Sequence, residues 1–167
     1  MAAGATYEPI ATTTLSSAAS SVTFSSISGS YTDLVLICSA QGTNGTDLLN
    51  MILNNDTGSN YSWTRIKGNG TVADSARLSN QSLLSIGDWM PNSTYFFPVI
   101  VQIQNYSNST TYKSILSRYN APTDVVVAVV GLWRSTSAIT TIKLQEAGGS
   151  IDLKAGSTFT LYGIKAA

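Results

Sequence analysis

Val125-Val126-Val127-Ala128-Val129-Val130-Gly131-Leu132-Trp133 is the most hydrophobic run in the chain. Its β-branched side chains suit a pleated strand, and the three-to-four-residue spacing of an amphipathic helix is missing. Apolar at almost every position, it reads as a central strand. Such a strand needs partners, and the flanking sequence offers them. Tyr112 to Tyr119 precedes it across the turn Asn120-Ala121-Pro122-Thr123-Asp124, and Ala138 to Leu144 follows.

Further out the same period of two recurs. Between Tyr31 and Ser39, Leu34, Leu36 and Cys38 fall on one face and Val35 and Ile37 on the other, which predicts a strand covered on both sides. Leu49, Met51 and Leu53 alternate after a connection that contains Asn44-Gly45, a hairpin signal. Tyr61 to Ile66 reads as a strand with its aromatic residues on one side. Phe97, Val99, Val101 and Ile103 make another, with Pro98 marking a strand start or an edge. Ile151-Asp152-Leu153 and Ser157 to Ile164 complete the set. Two stretches are less regular: Val72 to Leu78 reads as a short helix or an irregular excursion, and Asp88 to Ser93 as a turn.

About nine or ten short strands separated by Gly, Asn, Ser and Pro turns predict an all-β protein built as an antiparallel β-sandwich. The length of 167 residues exceeds the roughly 100 of an immunoglobulin domain, which favours a jelly-roll. Residues 21–167 form the sandwich domain in this reading. Residues 1–20, rich in Ala, Thr and Ser, form an extended N-terminal arm, either loosely held or laid as a strand against a neighbour.

Composition narrows the function. Nine Lys+Arg balance nine Asp+Glu, only 11% of residues are charged, and there is no basic run of the kind that neutralises nucleic-acid phosphates or anionic membranes. No nucleic-acid or membrane partner is expected. The polar surface falls to 24 Ser, 20 Thr and 11 Asn, so copies repel one another weakly, which is compatible with assembly and also with an ordinary Thr-rich sheet. The N-terminus has no signal-peptide pattern and no run is apolar enough to span a bilayer, so synthesis in a cytoplasm is expected. Eight Asn-x-Ser/Thr sequons then reflect composition alone.

Chemistry is sparse. Without histidine, His-type zinc sites, Ser-His-Asp triads and Cys-His pairs are all excluded. Cys38 lies in an apolar run and reads as a buried small hydrophobe. Asn54 to Asn60 has the oxygen ligands and glycine of a calcium loop but not its full pattern, and reads as a structural turn with a weak cation site as the alternative. The carboxylates pick out no glycosidase pair. No catalytic residue, metal site or cofactor is expected, and the chain reads as a non-enzyme.

Aromatic and large apolar side chains are the remaining candidates. Trp63 and Trp133 sit in strands and read as core. Trp89 and Met90, in a predicted turn, are better placed for a protein contact, as are Tyr106 in a turn and Tyr7 and Ile10 in the arm. These five are the candidate interface residues. A carbohydrate-binding face built on the aromatic rings is the alternative.

One further pattern runs through the chain: Phe24-Ser25-Ser26-Ile27 with Tyr31-Thr32-Asp33-Leu34, then Asn54 to Tyr61, Tyr112-Lys113-Ser114, Gly131-Leu132-Trp133, Ala138 to Ile142, and Gly156-Ser157-Thr158-Phe159-Thr160-Leu161-Tyr162-Gly163-Ile164. Over roughly residues 22–164 these resemble a family of small structural proteins of tailed-bacteriophage virions. The resemblance implies a virion component without enzymatic activity: most readily a homotrimeric capsid decoration, or cement, protein on the outer surface of the head, with the major capsid protein as partner. A tail, baseplate or fibre protein is the alternative within that family. Residues 1–20 match no part of the pattern.

Overall fold

Alternating apolar side chains set the strand pairing, and a computed structural model describes it for residues 6–43, 47–90, 95–121, 125–146 and 152–165. Among these residues the strands are β1 (Tyr7–Thr14), β2 (Ser21–Phe24), β3 (Asp33–Ala40), β4 (Asp47–Leu53), β5 (Tyr61–Gly68), β6 (Ala73–Gln81), β7 (Leu84–Met90), β8 (Phe97–Ile103), β9 (Lys113–Ala121), β10 (Val125–Trp133), β11 (Ile142–Glu146) and β12 (Thr158–Ile164). All their pairings are antiparallel. They form an eight-stranded sheet, β1-β12-β3-β8-β9-β10-β5-β6, and a four-stranded sheet, β2-β11-β4-β7.

The topology is a jelly-roll. From β1 to β4 the chain alternates between the sheets, and β7, β8, β11 and β12 then fill the gaps left between those strands, giving the quartets β1-β12-β3-β8 and β2-β11-β4-β7. Two hairpins are inserted into this frame. β5-β6 lies between β4 and β7 in the chain, β9-β10 lies between β8 and β11, and together they extend one sheet sideways from β8.

Alternation places one side of each strand inside. Leu34, Leu36 and Cys38 of β3, Val99 and Val101 of β8, and Phe159 and Leu161 of β12 meet Val22, Phe24, Met51, Leu53 and Leu144 of the smaller sheet in one core. Edge strand β7 carries this core over the extension, approaching β8, β9, β10 and β5. Its Leu84 is fully buried against Gly131 of β10, where an added Cβ would lie 2.7 Å from Leu84 Cδ2. Gly163 is constrained in the same way: an added Cβ would lie 2.6 Å from Cδ2 of the Tyr31 ring, which stacks on the bare backbone. The glycine in Leu161-Tyr162-Gly163-Ile164 is thereby explained by close packing.

Several local expectations are corrected. Residues 7–14 are an edge strand of the jelly-roll, paired with β12 of their own chain, and not an appended arm. Backbone pairing holds β1 there, helped by Thr12–Thr160 and Thr14–Thr158 hydroxyl contacts and by the Glu8–Lys165 ion pair, none of which leaves an apolar pattern in the sequence. Most of Val72 to Leu78, read as a helix or excursion, belongs to strand β6; it is exposed on nearly every side chain, so burial imposes no alternation. Asp88, Trp89 and Met90, read as part of a turn, end β7. Following Trp133, the next strand is Ile142–Glu146, beginning later than expected because Asn54 holds residues 138–141 in a loop: its side chain donates to the Ala138 carbonyl at 2.7 Å and accepts from the Thr140 amide at 2.8 Å. Leu153 contributes only isolated bridges to Ala19 and Gly42, and Ile151 lies outside the described residues.

Candidate interaction face

The extension leaves one surface uncovered among the described residues. Val127, Val129 and Trp133 of β10 point into the core, so Val126, Ala128, Val130 and Leu132 point outward. Register then aligns rows across four strands. Arg118, Ala128, Ile66 and Ser75 share one row; Leu116, Val130, Thr64 and Arg77 share the next. Val126, Ile66 and Val130 are 64%, 62% and 55% exposed, high values for residues in the middle of a sheet. The expectation of a central strand is met, because β10 lies between β9 and β5. In β3, where cover was expected on both sides, Val35 is buried but Ile37 is open on this same outer face.

Two shallow depressions mark the surface. One, of about 600 Å³, lies along Ile66, Ser75, Val126 and Ala128, with the Lys67–Asp74 ion pair at its border. The other, of about 390 Å³, is bounded by Thr64, Arg77, Ser114, Val130 and Leu132. Arg77 and Arg118 are exposed and make no ion pair or hydrogen bond among the described residues. They stand at opposite sides of the apolar rows, three strand spacings apart across the sheet and two residues apart along it, about 16 Å in all.

The end of the extension is fixed by a partly buried polar cluster. Trp133 Nε1 donates to Asp56 Oδ2 at 2.7 Å, Asn60 Nδ2 donates to the same oxygen at 2.9 Å, and the Gly58 amide donates to Oδ1 at 2.9 Å. Burial pulls the Asp56 carboxyl upward, but these hydrogen bonds outweigh it and hold the group below its ordinary value. The Tyr61 ring stacks on Trp133 at 6.3 Å, and its hydroxyl accepts from the Leu53 amide at 3.0 Å. Residues 54–60 are thus a turn organised around Asp56, with both carboxylate oxygens taken by donors. Arg134 joins that turn to β6: Nη2 donates to the Ser59 carbonyl at 2.7 Å and to Asn80 Oδ1 at 3.0 Å.

The five candidate interface residues are not brought together on this face. Tyr7 is exposed on edge strand β1, edge-on to Tyr162 at 6.3 Å. Ile10 is partly buried against the core at a β-bulge. Tyr106 is fully buried, its hydroxyl donating to the Ser28 carbonyl, so it is corrected from an interface candidate to a core residue that closes a turn. Trp89 and Met90 lie on β7, and their side chains fall outside the described residues. Trp133 is core as expected, and Trp63 is half-buried against it. Ile66, Leu116, Val126, Val130 and Leu132 were not singled out by sequence. In β5 and β9 the outward rows mix Ser, Thr, Leu, Ile and Arg, and only their registration beside β10 reveals an apolar surface.

No family model and no curated protein matches the chain. Among solved structures it is similar to alginate lyase Aly36B at 11% identity and a TM-score of 0.38, over 92% of this chain and 77% of that one. A variant of that lyase in complex with an alginate tetrasaccharide aligns at 11% identity and a TM-score of 0.25, over 75% of this chain and 70% of that one. Likeness at this level bears on neither activity nor ligand.

Proposed function

We propose that this chain is a structural protein of a tailed-bacteriophage virion, a decoration protein that sits on the outer surface of the head and bridges major capsid subunits. The uncovered outer face of the extended sheet is the observation that supports this reading most. A jelly-roll is closed by its two quartets alone, and the inserted hairpins add a surface that nothing among the described residues covers. Patches of this kind on soluble proteins mark contact sites. The whole outer face, eight strands wide and about seven residues long, measures roughly 38 by 23 Å, comparable to the approximately 800 Å² per partner of a stable interface. Low charge supports dense packing of copies, and a protein that binds the assembled lattice but not its free subunits shifts dissociation by mass action. The trimer implied by the family resemblance would use surfaces away from β5, β6, β9 and β10.

Quantitative mass spectrometry of purified particles, combined with imaging of the labelled chain, tests the proposal. Many copies arrayed over the head are expected, together with heads that fall apart more readily when the chain is removed. Confinement to the tail would replace the decoration role with a tail role, and absence from particles would refute both.

A further inference from the structure

We infer that the outer face of β9, β10, β5 and β6 docks a protein surface of complementary chemistry, apolar side chains flanked by two carboxylates, and that it rejects a second copy of this chain. The inference refines the docking role proposed above by naming what the partner must present. Its basis is the charge on the face. Arg118 and Arg77 bracket Ala128, Ile66, Val130 and Thr64, and both guanidinium groups are exposed and unpaired among the described residues. The acids of these strands lie elsewhere: Asp74 points to the opposite side of the sheet, where it pairs with Lys67 at 3.5 Å. Asp74 is the one acid of these four strands, and its carboxylate is held by Lys67, so among the described residues of the strands none lies beside the two arginines.

A second copy therefore offers no counter-charge, whichever two-fold axis relates the sheets. Stacking two such faces would bury four guanidinium groups without partners, and an unpaired buried charge is heavily penalised. Juxtaposed like charges also suppress wrong partners. A partner with two carboxylates about 16 Å apart satisfies both arginines, and bidentate Arg–carboxylate pairs add orientation to the apolar contact. Rows of Val, Ile and Leu between the charges favour a protein surface over an acidic sugar, which would leave those rows without apolar partners.

The complement can be made from the protein itself. R77E/R118E keeps every apolar side chain and reverses both charges, so it serves as the probe. All the substituted side chains, Val130 included, are exposed, and the core is untouched. Sedimentation velocity and fluorescence anisotropy of the purified full chain should show no pairing through this face for wild type alone or R77E/R118E alone. A mixture should give a one-to-one complex at least tenfold tighter than either self-association. V130D in either partner, or 0.5 M salt, should weaken it at least tenfold, whereas R77K/R118K in place of wild type should still pair. An unpaired mixture would overturn the inference. So would wild type that self-associates and is dispersed by V130D, which would make the face homotypic. Tetragalacturonate binding that is lost in R77E/R118E but indifferent to V130D would overturn it too, by assigning the arginines to a sugar. Because no virion enters these measurements, their failure is separable from failure of the decoration role.

Discussion

Replacing Gly131 with alanine should test how the extension is joined to the jelly-roll. The added methyl would lie 2.7 Å from Leu84 Cδ2 and 3.1 Å from its Cγ, and closer still to Cδ1. Ordinary carbon contacts are about 3.5–4.0 Å, so either Leu84 or β10 must move by about 1 Å. Leu84 is fully buried and cannot swing into solvent. Overpacking of this kind costs roughly 1–3 kcal/mol, against about 0.5–1 kcal/mol regained because alanine orders more readily than glycine in a strand. Contacts this short to a fully buried side chain put the cost in the upper half of that range, so a net loss of about 1–2.5 kcal/mol follows, equivalent to a Tm lowered by approximately 2–10 °C at this chain length. L84A alone should cost about 2–5 kcal/mol through the cavity it leaves. The double variant should be more stable than the sum of the two predicts, by about 1 kcal/mol or more, since the new methyl occupies space that Leu84 vacates. Urea unfolding of the four proteins, followed by tryptophan fluorescence, measures the cycle. G131A at or above wild-type stability, or strict additivity, would refute the packing of β7 on β10 that positions the proposed interaction face.

The Asp56 cluster predicts a pH-dependent contribution. D56A strands the buried Trp133 Nε1 and removes two further donors' acceptor, so a loss of about 2–4 kcal/mol is expected at pH 7. The folded carboxyl is depressed, so its contribution is complete above the unfolded value of about 3.9 and is lost as pH falls through the lower folded value. The gap in urea midpoints between wild type and D56A should therefore narrow in acid, and a gap that widens there would contradict the assignment. At Cys38, burial pushes the thiol strongly up, which predicts no reaction with Ellman's reagent at pH 8 until the protein unfolds. C38S should cost about 1–3 kcal/mol by placing a hydroxyl among apolar neighbours, and rapid labelling of native protein or an unchanged melting temperature would show the thiol to be accessible.

Legibility followed burial. β3, β8 and β12 each keep one side chain in two inside a core, and that alternation is written in Leu34-Leu36-Cys38, Val99-Val101-Ile103 and Phe159-Leu161-Gly163. β1 and β6 lie at the two edges of the larger sheet. Their side chains are mostly open and their stability comes from backbone pairing, which any sequence without proline in the wrong place can supply. Tyr106 misled for a related reason: its Asn- and Ser-rich turn reads as exposed, while its ring folds under that turn to reach the Ser28 carbonyl.

By itself, then, the sequence determined the all-β class, because a period of two over many short segments suits strands that bury one face and not amphipathic helices. It also determined that Cys38 and Trp133 are interior and that His-dependent chemistry is excluded. Only the tertiary structure decided where the hairpins β5-β6 and β9-β10 attach, and with them which face of Val125–Trp133 stays open. Both faces of that strand are apolar, so composition cannot tell the covered side from the uncovered one. That choice is made by Leu84, which packs against the side where Gly131 leaves room, and it turns Val126, Val130 and Leu132 outward.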